Sequence, residues 1–189
     1  MTHYLALLRA VNVGGTGKLP MKELKAMCEA AGFTDVRTCI ASGNVLFTSK
    51  LGEPLVQKKL AQRLHDHAGK PVGVLIRSAA EITRVLADNP FPDAPRNRVV
   101  AIFLDTAPPA NALDDIRHQK REQLACGKRE IYVHYRDGMA DSRLIIPAAR
   151  TGTARNINTV AKLAELAAAS HARATSASRK LSLTRMAPE

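Results

Sequence analysis

The 189-residue chain predicts an α+β fold of two ferredoxin-like (α/β plait) halves, the second lacking a clear final strand, followed by a basic C-terminal tail. Three observations carry this reading. Apolar periodicity in residues 1–78 runs strand, helix, strand, strand, helix, strand, the order of a plait. The same order begins again after the proline-rich stretch "NPFPDAP" (Asn89–Pro95). From Ser170 onward the chain is rich in Ala, Ser and Thr with little apolar periodicity. The expected units are an N-terminal plait over 1–89, including a linking helix at 78–89, a plait-like half over 90–169, and a disordered tail over 170–189.

"HYLALLRAV" is apolar on both faces, as a central strand is. The helix that follows runs from Pro20 to Ala31, with Pro20 at the first helical position and Gly32 just past the last. Met21, Leu24, Cys28 and Ala31 share one stripe of it. "DVRTCIAS" and "NVLFTS" are strands meeting at Gly43-Asn44. Val56, Leu60 and Leu64 mark a second helix, and "PVGVLIRS" is the next strand. A third helix opens at Ser78, where Ser-Ala-Ala-Glu81 forms a capping box, and stops before Pro90. In the second half "RVVAIFLD" is a strand, Leu113 to Leu124 a charged helix, and "EIYVHY" and "MADSRLII" strands joined at Asp137-Gly138. The last helix covers Asn156 to Ala169.

The formal charge is +11, and 46% of residues are apolar. That charge favours an anionic partner, nucleic acid or a phosphorylated small molecule. Cys28, Cys39 and Cys126 form no CxxC pair and leave an odd thiol, so a disulfide framework is not expected and a reducing, cytoplasmic setting is. No apolar run reaches membrane-spanning length, and the N-terminal residues lack a signal-peptide pattern. No membrane partner follows from the sequence, and it leaves the oligomeric state open. His65 and His67, two apart on a helix, point away from each other, so no metal site is expected. No cofactor motif stands either.

"AVNVGGTGKLP" places a glycine-rich turn between strand and helix, the order of a phosphate loop. It is not a Walker loop, because Asn12 and Leu19 occupy the positions of a required glycine and hydroxyl. GxGxxG fails as well, since Pro20 stands where the third glycine belongs. An anion at the helix start with Lys18 beside it, and a turn whose glycines only supply backbone freedom, remain the two readings. In a plait the third strand lies beside the first and runs against it. Asn12, Gly14 and Gly15 are therefore expected on one sheet edge with the Ser42-Gly43-Asn44 corner, and Lys18 with them. Arg9, an arginine in a central strand, needs a partner or the surface. A structural ion pair, with a carboxylate of the other half, is the alternative to a ligand. "TGTARNINTV" sets Arg155 and Asn156 at the start of the last helix, able to face an anion or simply to cap.

The blocks "LLRAVNVGGTGKLPMKEL", "VRTCIASGNVLF", "NPF", "EIYVHYRDGMADSRL" and "TARNINTVAKL" together resemble the bacterial domain-of-unknown-function 1697 family, over roughly residues 4 to 167. The resemblance implies tandem α/β-plait halves and brings no reaction with it. Family members usually read Gly-Ile-Asn where this chain has Ala10-Val11-Asn12, and Ser-Lys-Leu at Ser142-Arg143-Leu144. Around Ala154 to Thr159 they read Thr-Arg-Asn-Trp-Asn-Thr, so Ala154 and Ile157 stand here for a threonine and the tryptophan. The expected function is binding of an anionic ligand or nucleic acid at the edge formed by the 12–18 loop and the 42–44 hairpin. An enzyme acting on a phosphorylated small molecule at the same edge, or a protein-interaction module, are the alternatives.

Overall fold

The computed structural model describes residues 1–9, 19–39 and 43–184, with 171–184 as backbone alone. Its described residues form a mixed α+β fold of two four-stranded antiparallel sheets and four α-helices.

The first sheet contains β1 (Thr2–Leu8), β2 (Thr34–Cys39), β3 (Asn44–Ser49) and β4 (Val74–Ser78), in the order β2-β3-β1-β4. Helix α1 (Met21–Ala30) lies between β1 and β2 in the chain, and α2 (Glu53–Ala68) between β3 and β4. Alternation along β1 sorts its apolar residues onto two faces. Tyr4, Ala6 and Leu8 pack with Leu24 and Cys28 of α1 and with Val56, Leu60 and Leu64 of α2. Leu5 and Leu7 face the opposite way, into a second core. The double-sided apolar pattern of this strand thus has a packing partner on each side.

Two local details refine the sequence reading. Pro20 is not the first helical residue of α1 but its N-cap, in extended conformation, and no side chain caps the helix there. Ser78 does form the expected capping box before α3 (Ala79–Ala87): its hydroxyl accepts from Glu81 N at 3.2 Å, and the Glu81 carboxylate accepts from Ser78 N at 2.8 Å.

The second sheet holds β5 (Val99–Phe103), β6 (Gln123–Cys126), β7 (Glu130–His134) and β8 (Thr153–Asn156), ordered β6-β7-β5-β8. It repeats the strand order of the first sheet position for position. The final strand that the sequence did not reveal is therefore present, at Thr153–Asn156, where a helix start was expected. Thr153 and Asn156 read as caps in isolation, yet Thr153 to Asn156 pair with β5 as a strand. The expected helix at 113–124 is absent as well. Its last two residues belong to β6, and Leu113 and Leu124 pack on the sheet. Cross-strand pairing with β7 takes Gln123 and Leu124, and residues 113–122 run as turns and irregular chain. Of the "MADSRLII" strand only a bridge from Ile145 to Arg117 remains.

Helix α4 (Ile157–Thr184) carries its backbone well beyond Ala169, across residues expected to be disordered. No Gly or Pro interrupts the chain from Thr153 to Ala187, and Ala, Leu, Arg and Lys are good helix formers. The central core joins both sheets: Leu5, Leu7, Leu46 and Leu75 of the first and Val99, Ala101, Phe103 and Tyr132 of the second pack with Ile82 and Val85 of α3 and Ile157, Val160 and Leu163 of α4. The far face of the second sheet is covered by irregular chain, through Leu104, Ala112 and Ile146 on Ile131 and Val133.

Gly152 lets this cover reach β8. A Cβ there would stand 2.7 Å from the Phe103 carbonyl oxygen and 2.9 Å from Ile102 Cγ2. Gly152→Ala is expected to cost about 1–3 kcal/mol of stability, as overpacking against backbone does. A urea denaturation midpoint equal to that of the native chain would show the approach is not tight.

Candidate functional site

Asn12, Gly14, Gly15, Lys18 and Ser42 lie outside the described residues. The described chain does fix the ground on either side of them. Leu8 N donates to Gly43 O at 2.9 Å, so the chain leaves β1 beside the residue that leads into β3. Arg9 follows immediately. It is exposed, its backbone N donates to Gly73 O at 2.9 Å, and its Nη2 donates to Arg150 O at 2.6 Å. Its contact with the second half is therefore a carbonyl rather than the carboxylate considered from sequence.

Arg155 reaches the same point from β8. It is 8% exposed and stands opposite Ala101, on the side of the second sheet that faces the central core. Nε donates to Asn44 Oδ1 at 2.7 Å, Nη1 to Thr153 Oγ1 and Ala154 O at 2.8 Å each, and Nη2 to Leu8 O at 3.0 Å. Asn44 is fully buried and also donates from Nδ2 to Cys39 O at 3.3 Å. Burial lowers the Arg155 guanidinium to about 10, leaving it charged at neutral pH. Arg9, Asn44 and Arg155 are thus gathered around the end of β1. Asn156 is not with them: its Nδ2 donates to Asn97 O at 3.0 Å, and its Oδ1 accepts from Asn158 N at 2.9 Å, the hydrogen bond of an N-cap to α4.

The counterpart corner of the second sheet carries a cluster the sequence reading missed. Arg77, on β4, is 1% exposed and stands opposite Leu5, facing the central core. Its Nη1 donates to Ile76 O at 2.7 Å, and its Nη2 donates to Leu104 O and, at 3.0 Å, to Arg129 O. Leu104 N in turn donates to Arg129 O at 2.8 Å, as Leu8 does to Gly43. Arg129 pairs with Glu53 at 2.7 Å and with Glu81 at 2.7 Å, binding α2 and α3 to the turn before β7. Burial lowers the Arg77 pKa, the neighbouring Arg129 adds to that, and Glu81, Glu53 and Glu130 oppose it. The signal was legible. An arginine inside "VLIRS" raises the question that Arg9 raised, with more force.

Burial alone would raise the Glu81 carboxyl, yet the Ser78 hydrogen bonds and the Arg129 guanidinium together hold it below the usual carboxylate range. A carboxyl titrating lower in the folded than in the unfolded chain contributes stability above the unfolded value of about 4.3. That contribution is lost as pH falls through the folded value. Glu81→Gln should therefore lower Tm at pH 7, and the gap from the native chain should narrow as pH falls toward about 3. Parallel melting curves that keep a constant gap would remove Glu81 from the acid transition.

Among the described residues no group of three or more His, Cys, Asp or Glu is placed to hold a metal, and no helix is long and apolar enough to cross a membrane. The family model described as "Protein of unknown function (DUF1697)" matches residues 1–132. The solved structure of conserved bacterial protein SP0830 from Streptococcus pneumoniae resembles the chain with a TM-score of 0.73 at 24% identity, over 88% of this chain and 98% of that one. At that identity the likeness speaks for the fold. No curated protein matches the chain.

Proposed function

The chain belongs to the DUF1697 family, and for it we propose a cytoplasmic binding protein for an anionic ligand, with a site formed by the 12–18 loop and the 42–44 hairpin. The architecture belongs to the same proposal: the N-terminal half is a ferredoxin-like plait, the second half shares its strand order without its crossover helices, and the site lies at the end of the first strand of the N-terminal half. One observation supports it above the others. The Leu8 N to Gly43 O hydrogen bond brings the end of β1 beside the start of β3, and Arg9 at that end is exposed with no ion pair among the described residues. Arg155 adds a buried positive charge beneath, through its bond to Leu8 O. The counterpart corner illustrates the chemistry such a place accepts, since Arg129 there gathers the carboxylates of Glu53 and Glu81.

Binding is favoured over catalysis by the groups at hand. Arg9, Asn44, Thr153 and Arg155 supply donors and charge, and none of them is a carboxylate, imidazole or thiol able to serve as general acid or base. Cys39 lies at this edge, but its thiol is pushed up by burial, which leaves it a poor nucleophile. The ligand class is phosphate-bearing, a nucleic acid or a phosphorylated small molecule, in keeping with the net charge of +11.

The test uses the full chain. A labelled single-stranded oligonucleotide is titrated by fluorescence anisotropy across a range of salt, and inorganic pyrophosphate by calorimetry. The double variant Arg9→Ala/Lys18→Ala is expected to bind about tenfold more weakly, a loss of about 1.4 kcal/mol, with Tm nearly unchanged. For the oligonucleotide, the salt dependence should also fall by about one unit of slope for each phosphate contact removed. Equal affinity and slope in native and variant chains, or no binding of either probe, would place the function elsewhere.

A further inference from the structure

A second feature lies on the outer edge of the second sheet and owes nothing to the glycine loop. The outward main-chain groups of an edge strand pair readily with another strand unless something prevents it. On β4 side chains take them: Val74 O accepts from Gln57 Nε2 at 2.8 Å, Ile76 O accepts from Arg77 Nη1 at 2.7 Å, and Ser78 N donates to Glu81 at 2.8 Å. On β8 Ala154 O accepts from Arg155 Nη1 at 2.8 Å. The edge strand β2 is bent by a register shift between Thr34 and Arg37, with Asp35 at φ 51°.

The edge strand β6 is treated differently. Gly127 N donates to Glu130 O at 2.7 Å, so Ala125 and Gln123 turn their main-chain groups toward β7. Leu124 and Cys126 alternate with them and turn theirs outward. No described residue bonds the N–H or C=O of either. The row is closed on both sides, where Glu122 O accepts from Gln119 Nε2 at 2.8 Å and Lys128 N donates to the Glu130 carboxylate at 3.0 Å. What stays open is the uncharged stretch Leu124-Ala125-Cys126, half-buried to exposed. Its flanks are balanced in charge. Lys120, Arg121 and Arg136 stand with Glu122, Asp137 and Asp141 at one end. At the other, the turn residues Lys128 and Arg129 stand with Glu53 and Glu81, which Arg129 holds. A second copy therefore meets no net repulsion here, although the chain carries +11 in all. A strongly acidic or basic segment finds nothing here to select it.

We propose that β6 pairs antiparallel with β6 of a second copy, about a two-fold axis beside Ala125, joining the two second sheets into one. Leu124 and Cys126 then exchange main-chain hydrogen bonds with Cys126 and Leu124 of the copy. The side chains match as well: Leu124 lies against Cys126 of the copy on one face, and the two Ala125 methyls meet at the axis on the other. Such a contact is isologous and closes on two subunits. The edges left at the ends of the joined sheet are the two copies of β8, where Arg155 already takes the Ala154 carbonyl.

The experiment is sedimentation velocity of the full chain over a range of concentrations, with a reversible monomer–dimer equilibrium expected. Cys126→Pro deletes an outward donor and leaves the bonds of Gln123 and Ala125 to β7 in place, so it should give a monomer with Tm nearly unchanged. The axis is tested by Ala125→Cys made together with Cys126→Ala. Opposed residues of a non-hydrogen-bonded pair have Cα atoms about 4.5 Å apart, so mild oxidation should link this variant into a disulfide dimer. In the native chain the two Cys126 residues lie diagonally across the axis, about 7–8 Å apart and out of disulfide reach, so the same treatment should leave it unlinked. A monomer at every concentration, a dimer indifferent to Cys126→Pro, or linkage through native Cys126 as readily as through Ala125→Cys would overturn the proposal.

Discussion

Two arginines buried between the sheets set the relation of the halves. Arg77 on β4 stands opposite Leu5 of β1, and Arg155 on β8 opposite Ala101 of β5. Each then crosses to the other sheet. Arg155 takes the carbonyl of Leu8, three residues beyond Leu5, and Arg77 takes that of Leu104, three residues beyond Ala101. The two contacts are therefore counterparts, one made in each direction. A guanidinium held out of water must satisfy its donors, and main-chain carbonyls at the ends of central strands are fixed acceptors. The exchange stabilises only one mutual placement, because a slip of either sheet would leave buried donors and acceptors without partners at once.

Around this pair the other polar contacts fall into line. Asn44 on β3, opposite Leu7, receives Arg155, while Glu130 on β7, opposite Phe103, lies within the charge field of Arg77. Glu130 accepts from Lys128 N at 3.0 Å and Arg129 N at 3.1 Å, which shapes the turn that presents Arg129 to Glu53 and Glu81. One corner thus closes with the protein's own carboxylates. The other carries the exposed Arg9 and the buried contact of Arg155 with Asn44. Like positions in the two halves thus hold different polar contacts.

Much of this was legible from sequence, and the misses have physical causes. Elements with strong local signals were readable: the two-faced apolar run at Tyr4–Leu8, the capping box at Ser78 and Glu81, and the stripe through Val56, Leu60 and Leu64. β8 was hidden because four residues, two of them polar and pointing inward, show no apolar alternation. Its identity rests on pairing with β5, which is a long-range fact. The 113–124 segment misled for the converse reason: it has a helical period, but only Gln123 and Leu124 join a regular element, the strand paired with β7, and the rest is irregular chain packed on the sheet. At the site, the approach of the end of β1 to Gly43 followed from strand order, whereas the Asn44–Arg155 contact spans 111 residues and two sheets. Arg77 was a missed opportunity, since a charged residue in an apolar strand is visible without any structure.

The reciprocity of Arg77 and Arg155 also bears on how the protein is made. During synthesis β4 leaves the ribosome before Leu104 and Arg129 exist, so Arg77 at first has none of its acceptors from the second half. The N-terminal sheet can already bury one face under α1 and α2, but its inward face is still bare of α4 and that cation still hydrated. Its final packing waits on the arrival of its twin, and the whole chain is then committed to folding, and to unfolding, as one cooperative unit.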